Sequence, residues 1–323
     1  MGLAPSGLAR DEAAVGVGLQ KRPPQQEGTN ARAAVLFLLP ALVLLAIFIV
    51  YPAIYTILLS FDRGRRGQFT QNVGLQNYQT LFTSDPNFLD LSHFPPSGAL
   101  FNNVLWIVFY TFFVIFFGLI IAVTASRVRY ESIIKAVVFL PMAIAATALA
   151  VIWGFVYAPD AKTGLLNAVI GVAGINPISW LGDPGFVNAA LIAVGVWGSV
   201  GFATVILSAA IKSISSEVIE AARVDGASER TIFRRIIVPM VSLPISVLAV
   251  TLIVNVVKLF DLIYVMTNGG PGTSSRVIAF TMYQESFPGG LFGKGAAVAV
   301  VMLLILIPVM IFNVRRFRTE SVT

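Results

Sequence analysis

The sequence has 323 residues, of which 57% are hydrophobic and 12% charged, and its mean hydropathy is +0.84. Soluble domains carry about 25% charged residues, so we expect much of this surface to face lipid. The net charge of +6 does not indicate a nucleic-acid partner, because the Lys and Arg residues flank apolar runs instead of forming one patch. The chain has no Cys and one His, His93, which excludes disulfides and thiolate metal sites and argues against a His-based metal site.

Polar tails flank the apolar part of the chain. Residues 1–31 contain Gly, Pro, Gln and charged residues without apolar periodicity, which is typical of a disordered, solvated tail. This tail has no apolar core followed by a small-residue cleavage site, so we do not expect a signal peptide. Residues 319–323 form a short C-terminal tail, and residues 32–318 are expected to form one transmembrane domain.

Six stretches within this domain are apolar enough to cross a membrane. A spanning helix needs about 20 mostly apolar residues, because the hydrocarbon core is about 30 Å thick. The sequence therefore predicts an all-α membrane protein with six transmembrane helices. The predicted spans are Ala33–Leu59, Phe101–Ala125, Lys135–Tyr157, Val187–Ile211, Met240–Met266 and Ala296–Phe312.

The basic residues in the connections predict the orientation of the chain. Cytoplasmic loops carry an excess of Lys and Arg. Of the 22 Lys and Arg residues, 15 fall in one set of connections and six in the other. The richer set includes both ends of the chain and the polar segment before the fifth span. We therefore expect both termini and this segment in the cytoplasm, which agrees with an even number of spans.

The polar segment Glu220–Pro239 has the features of a helix, a turn and a second helix. Ser216 is the predicted N-cap of a helix that begins at Glu217. Gly226 suits the left-handed conformation that ends a helix, and Ser228 is the predicted cap of the next helix. On these features alone, the segment is either a docking device or an amphipathic connector at the membrane surface. The second helix carries an apolar stripe of Ile232, Phe233, Ile236 and Ile237.

The spacing within this segment resembles the coupling motif of permease subunits of bacterial ABC importers. That motif has Glu-Ala-Ala, three residues, Gly, nine residues, Ile, one residue, an apolar residue and Pro. Val238 stands where the family usually has Leu. The other positions are occupied by Glu220, Ala221, Ala222, Gly226, Ile236 and Pro239.

Further segments resemble the carbohydrate branch of this family, the maltose-type permeases, over about residues 33–318. Those typical of the branch are Leu38-Leu39-Pro40-Ala41 through Tyr51-Pro52, Asp225-Gly226-Ala227 and Thr267-Asn268-Gly269-Gly270-Pro271. Those similar to α-glucoside permeases are the stretches at 139–144, 205–212 and 315–317.

The resemblance implies a type I ABC importer permease in the bacterial cytoplasmic membrane, which moves a sugar or sugar-like solute, such as an α-glucoside or an oligosaccharide, inward by alternating access. It implies that the Glu220–Ser228 helix sits in a cleft of an ATP-hydrolysing subunit. The implied partners are a second homologous permease, two ATP-binding cassette subunits and an extracytoplasmic sugar-binding protein. ATP and Mg would bind to partner subunits, because this chain has no Gly-x-x-x-x-Gly-Lys-Ser/Thr loop and no cofactor of its own is expected. The implied ATPase-coupling residues are Glu220, Ala221, Ala222, Asp225, Gly226 and Ala227.

Ionisable residues inside a predicted span are candidates for the solute path. Lys258 and Asp261 have i, i+3 spacing, which places them on one face of the predicted fifth span, with Asn255 one turn earlier. The alternative is that Lys258 and Asp261 pair with each other near the outer end of the helix.

In the fourth span, residues 197–202 mix small and aromatic side chains. Small residues usually serve helix packing, whereas an aromatic ring can stack on a sugar ring beside the hydroxyl of Ser199. The maltose-type resemblance favours a sugar-contacting region here. Trp197, Ser199 and Phe202 are therefore candidate path residues.

Two other function classes fit the sequence less well. A secondary, ion-coupled transporter of a small neutral solute commonly carries buried acids and inverted repeats, and here only Asp261 is available. An intramembrane enzyme needs a catalytic constellation, which one His in an outer loop and no Cys do not provide. We expect no catalytic residue and no metal site in this chain, and membrane lipid around it.

Overall fold

A computed structural model of the chain describes residues 31–65, 68–92 and 94–320. Most residues of the two predicted tails lie outside the described residues, and so does His93. The chain divides into two compact units, Met1–Pro52 and Ala53–Thr323. In the first unit, the side chains from residue 35 to residue 52 are all exposed. Throughout the described ranges there is no β-strand and there are only isolated β-bridges, as the prediction of an all-α fold requires.

The described residues fold into helices joined by short connections. Single π-helical turns interrupt α1, α3 and α9, and another extends α2 to Ser84. The helices are α1 (31–59), α2 (Gln76–Gln79), α3 (Ala99–Ala125), α4 (Glu131–Phe139), α5 (Ala146–Val156), α6 (Leu165–Val172), α7 (Val187–Lys212), α8 (Ser216–Val224), α9 (Glu229–Met240), α10 (Ser242–Val257), α11 (Asp261–Met266), α12 (Ile278–Ser286) and α13 (Phe292–Glu320).

Four of the described helices are long and apolar enough to cross a membrane. They lie in α1, α3, α7 and α13. Two further pairs meet the same criterion of length and composition when each pair is taken as one bent span. The structure thus supports four to six spans. The bent pairs overlap the third and fifth predicted spans.

The third predicted span is not one continuous helix. The helix from Glu131 passes through a 3-10 turn at Leu140–Ala143, and α5 then leaves at an angle of 99°. Pro141 explains the break, because its ring has no N–H to donate and cannot continue an α-helix without a clash. Ile144 follows in an extended conformation.

The fifth predicted span, Met240–Met266, is also not one helix. The chain bends by 67° between α9 and α10, and α10 ends at Val257. Lys258 is the C-cap of α10, and Asp261 is the first residue of α11. The break between α10 and α11 places the cation of Lys258 at a helix C-terminus and the acid of Asp261 at a helix N-terminus, where each charge suits the helix dipole. Lys258 and Asp261 therefore do not share a helix face, contrary to the prediction.

The core of the second unit lies between α3 and α7, which pack together along most of their lengths. Glycines permit this close approach: a Cβ atom on Gly118 of α3 would lie 2.6 Å from Ala203 Cβ of α7. On α7, a Cβ atom on Gly201 would collide with the Val138 carbonyl of α4 and lie 2.7 Å from Phe139 Cα. Gly201 and Ala203 of the fourth span thus serve helix packing, as small residues commonly do in membranes.

Buried amides hold the non-helical connections against this core. Asn102 of α3 donates to the carbonyls of Thr273 and Arg276, at 3.1 and 2.8 Å. Asn103 accepts from the Ile278 backbone N–H at 2.7 Å. The chain before these contacts forms the turn predicted at Thr267–Gly272, where Asn268, Gly269 and Gly272 all have positive φ angles. The amides satisfy backbone groups that would otherwise be unpaired in a buried loop.

Candidate functional site

The predicted helix, turn and helix are present at residues 216–240. Ser215, not Ser216, is the N-cap of α8: its Oγ accepts a hydrogen bond from the Glu217 backbone N–H at 3.2 Å. Ser215 has an extended backbone conformation, whereas Ser216 is already the first helical residue. The prediction was therefore wrong by one residue. Ser228 caps α9 as expected, by accepting from the Thr231 backbone N–H at 3.3 Å.

The turn between α8 and α9 is closed by a Schellman motif. Gly226 has a φ of 79°. Its backbone N–H donates to the Arg223 carbonyl at 3.0 Å, and the Ala227 N–H donates to the Ala222 carbonyl at 2.9 Å. These two bonds pair carbonyls that the end of α8 would otherwise leave free. We call the unit formed by α8, this turn and α9 the elbow.

One face of α8 rests on the body of the protein and the other faces outward. Ile219, Ala222 and Ala227 pack against the core, as do the apolar residues of α9. Glu220, Ala221, Asp225 and Gly226 are exposed, and Val224 is 87% exposed. An exposed Val224 beside the small residues Ala221 and Gly226 leaves the backbone accessible to close approach by another protein.

Ion pairs connect the elbow with its neighbours. Glu229 of α9 accepts from Arg223 Nε of α8 at 2.9 Å and from Arg127 Nη2, in the α3–α4 connection, at 2.6 Å. The hydrogen bond from Arg223, together with the charge of Arg127, lowers the pKa of Glu229. These three side chains are about half exposed, so each pair contributes at most about 1 kcal/mol to stability.

A second carboxylate links α4 to the end of α7. Glu131 is bonded to Lys135 one turn along α4 and to Lys212 Nζ at 2.9 Å. Hydrogen bonds from these two lysines lower the pKa of Glu131 to about 2. Glu131 and Glu229 both lie outside the six predicted spans, in connections that are predicted to be cytoplasmic. The two carboxylates fasten the elbow and its supporting helices to each other.

A separate cavity of about 260 Å³ lies where the two broken spans meet. Non-helical backbone at membrane depth is tolerated where it lines a cavity. Two such segments line this one, through Pro141, Met142 and Ile144 in the first broken span and through Leu259 between α10 and α11. Among the described residues, no charged side chain lines the cavity. Its walls are formed by Trp106 and Tyr110 of α3, Pro141, Met142, Ile144, Ala146 and Leu149 of the first broken span, Val194, Gly195, Gly198 and Ser199 of α7, and Asn255, Val256, Leu259 and Leu262 of the second.

The cavity brings together two of the six predicted path residues. Ser199 of α7 and Asn255 of α10 both line it. Ser199 Oγ accepts a hydrogen bond from the Tyr110 hydroxyl at 2.8 Å. Lys258 and Asp261 are exposed and do not line this cavity, and within the described residues they form no ion pair with each other. The predicted i, i+3 pair is therefore replaced by two separate helix-end residues.

The two remaining predicted path residues lie elsewhere. Trp197 lines a different, apolar groove of about 810 Å³ between α3 and α7, together with Phe109, Phe113 and Phe117. Phe202 is half-buried and packs against the core. The rotation of about 100° per residue along a helix separates Trp197 and Ser199 onto different faces.

Comparison with known proteins places the chain in a family. The model of the family described as binding-protein-dependent transport system inner membrane component matches residues 114–316, more than half of the chain. The chain belongs to this family. The prediction from the coupling motif is thereby confirmed: the chain is of the membrane-permease type and not the ATPase type.

Two curated relatives resemble this permease over most of its length. It is 43% identical over 290 residues to the osmoprotective compounds uptake permease protein GgtC of Synechocystis, and the match covers 88% of this chain and 99% of that protein. It is 40% identical over 291 residues to the alpha-glucoside transport system permease protein AglF of Rhizobium meliloti, over 88% of this chain and 82% of that protein.

The fold is also that of a solved transporter. A chain from the crystal structure of a bacterial ABC transporter involved in the import of the acidic polysaccharide alginate superposes with a TM-score of 0.72 at 22% identity. The match covers 89% of this permease and 96% of that chain. At this level of identity the likeness shows the fold alone.

Several lining residues of this permease were not predicted from its sequence. Trp106, Tyr110 and the Pro141–Ile144 turn come from α3 and the first broken span, where uniformly apolar composition gives no periodicity to follow. Two residues within apolar runs could have indicated the cavity from the sequence: Pro141, which breaks a helix, and Asn255, which carries an amide. In the described ranges, no group of three or more His, Cys, Asp or Glu residues is placed to hold a metal ion.

Proposed function

We propose that this permease is the pore-forming subunit of an ATP-driven importer that moves a sugar or sugar-like solute inward by alternating access. The observation that carries the proposal is the elbow, a capped helix-turn-helix with one face packed on the core and an exposed face at Glu220, Ala221 and Gly226. A membrane-surface connector has no need of an outward face built from small residues. A docking helix needs one, because its backbone must approach a partner closely.

In this proposal the elbow transmits movement from the ATPases to the spans. The coupling residues are Glu220, Ala221, Ala222, Asp225, Gly226 and Ala227. The Schellman turn and the Arg223–Glu229 bond make α8 and α9 move as one body, and the Arg127–Glu229 bond joins that body to the α3–α4 connection. Since α9 continues at a bend into α10, displacement of α8 would tilt a wall of the cavity. Opening and closing of the cavity to either side then follow from closure of the ATPases.

The cavity supports a neutral, hydroxyl-rich solute. Its polar groups are the uncharged side chains of Ser199, Asn255, Tyr110 and Trp106, and aromatic rings offer faces for the C–H groups of a sugar. The relatives named for osmoprotective compounds and for alpha-glucosides support the same class. We therefore propose an α-glucoside or a related osmolyte as the substrate and place Ser199 and Asn255 in its path.

The proposed assembly follows from the family. It comprises a second homologous permease, two ATP-binding cassette subunits that bind ATP and Mg, and an extracytoplasmic sugar-binding protein. The description of the family as binding-protein-dependent supports the last of these. Six spans with both termini in the cytoplasm fit the distribution of Lys and Arg and leave the elbow on the side where ATP is available.

The experiment that tests this proposal is uptake by the complete transporter in proteoliposomes. Radiolabelled maltose, trehalose and sucrose are offered together with the binding protein, either with ATP and Mg inside or with proton or sodium gradients and no ATP. We expect uptake that requires ATP and is indifferent to ionophores. Uptake driven by a gradient in the absence of ATP would instead establish a secondary transporter.

A further inference from the structure

One wall of the cavity is formed by α3, which holds none of the predicted path residues. Trp106 and Tyr110 lie one turn apart on α3, and both line the cavity. The Trp106 side chain is 1% exposed. Its six-membered ring fits against Gly195 of α7, where a Cβ atom would lie 2.9 Å from Trp106 Cζ3. The indole is therefore held in one position by contacts with a neighbouring helix.

The indole N–H of Trp106 has no partner in the part of the chain that the structure describes. Its Nε1 atom is buried and lacks a hydrogen-bond acceptor among the described residues. A buried Trp N–H usually finds an acceptor, and an unpaired buried donor destabilises a protein because nothing replaces its lost bonds to water. A donor retained in the wall of a cavity without a protein acceptor points to an acceptor that occupies the cavity.

Two linked hydroxyl groups belong to the same lining. The Tyr110 hydroxyl donates to Ser199 Oγ at 2.8 Å. Because that oxygen already accepts from Tyr110, the Ser199 hydroxyl hydrogen remains to be donated to another group. Asn255 of α10, also in the lining, offers both an amide donor and a carbonyl acceptor. The cavity is therefore rich in donors and needs a ligand with several acceptor oxygens.

We propose that Trp106 is a specificity-determining residue of the transport path, whose Nε1–H donates a hydrogen bond to one hydroxyl oxygen of the sugar in the cavity. The proposal rests on the proposed function. A sugar hydroxyl accepts from Trp106 and keeps its own hydrogen for a further acceptor. Tyr110 acts as a positioning residue, because it directs the Ser199 hydroxyl away from itself.

This arrangement predicts selectivity for one hydroxyl group. A site that hydrogen-bonds a substrate hydroxyl rejects an analogue without it, because the buried donor is then left unpaired. The loss of one ordinary hydrogen bond corresponds to about a three- to tenfold change. A tryptophan that only fills space would not distinguish one hydroxyl position from another.

The test compares Trp106→Phe with the wild-type complex in proteoliposomes, with the same binding protein in both so that its own selectivity cancels. The probes are maltose, trehalose and sucrose and their analogues lacking a single hydroxyl. The matched control is Trp153→Phe on α5, which removes an indole that does not line the cavity. We expect Trp106→Phe to lower uptake of the parent sugar about three- to tenfold and to leave one deoxy analogue within about twofold. The control should keep wild-type selectivity.

Two results would overturn the assignment: an equal loss for the parent sugar and every analogue, or no change for any of them. If wild-type complex imports none of the sugars with ATP, the proposed function fails first and this inference falls with it. If Trp106→Phe does not insert, 3-benzothienylalanine at position 106 keeps the two-ring shape, replaces the N–H by sulfur and allows the same comparison.

Discussion

The substitution Gly226→Asp adds a side chain at the exposed tip of the elbow. Gly226 has a φ of 79°, and a Cβ atom there would have no heavy atom within 4 Å. This chain therefore offers no steric obstacle to the new carboxylate. The remaining cost is conformational, about 1–2 kcal/mol for an L-residue in the left-handed region, against a typical stability of about 5–15 kcal/mol. We expect the variant to fold and insert.

The same carboxylate would stand in the space that the proposed ATPase cleft occupies. A docking contact that loses 1.4 kcal/mol weakens tenfold, and a charge forced into a packed interface commonly loses more. We expect Gly226→Asp to lower ATP-driven uptake at least about tenfold. The ATPase subunits should also co-purify with the variant in smaller amounts.

A matched control separates docking from backbone strain. Gly174, after α6, also has a positive φ, of 74°, and a Cβ atom there would likewise meet nothing within 4 Å. Gly174→Asp imposes the same strain on a connection predicted to be extracytoplasmic. The assays are ATP-driven uptake in proteoliposomes and thermal unfolding in detergent. If Gly226→Asp transports as fast as Gly174→Asp, the docking role of the elbow is refuted.

Three further predictions concern stability and the path. Glu131→Gln should destabilise the protein at pH above about 4.5, and the difference in stability from wild type should vanish as pH falls towards 2. The reason is that the folded carboxylate, with its lowered pKa, keeps its bonds to the two lysines until then. A pH-independent difference in thermal unfolding would contradict this prediction. Gly201→Ala should destabilise by about 1–3 kcal/mol through its collision with α4, whereas Gly154→Ala, in open space on α5, should be neutral or stabilising; equal unfolding temperatures would contradict the packing argument. Asn255→Ala should lower sugar uptake about three- to tenfold while Lys258→Ala, outside the cavity, changes it less than about twofold; the reverse order in an uptake assay would restore the path first predicted.

The elbow was predictable almost completely because its determinants are local. N-capping serines, a glycine with positive φ and an apolar stripe each act within a few residues, so sequence spacing fixed the turn and both helices to within one residue. The positions of the apolar spans followed similarly from composition, since membrane thickness sets the length of a helix. Pro141 lies at the break in the third span, and a kink is what a Pro in a span predicts, but the size of the bend, 99°, was not predicted.

The cavity depended on tertiary structure. Ser199 and Asn255 lie far apart in the chain and meet only because α7 and α10 pack around the two breaks. Trp106 and Tyr110 lie in an apolar run where every face looks alike, so only the packing of α3 on α7, permitted by Gly118 and Gly195, turns them inward. Lys258 and Asp261 had the spacing of one helix face, yet the chain ends a helix between them. The sequence by itself thus determined what depends on neighbouring residues and on the lipid solvent: the positions of the apolar stretches, the local structure of the elbow and the family. The tertiary structure decided which faces meet, because contacts between helices depend on rotations and bends that uniformly apolar sequence does not encode.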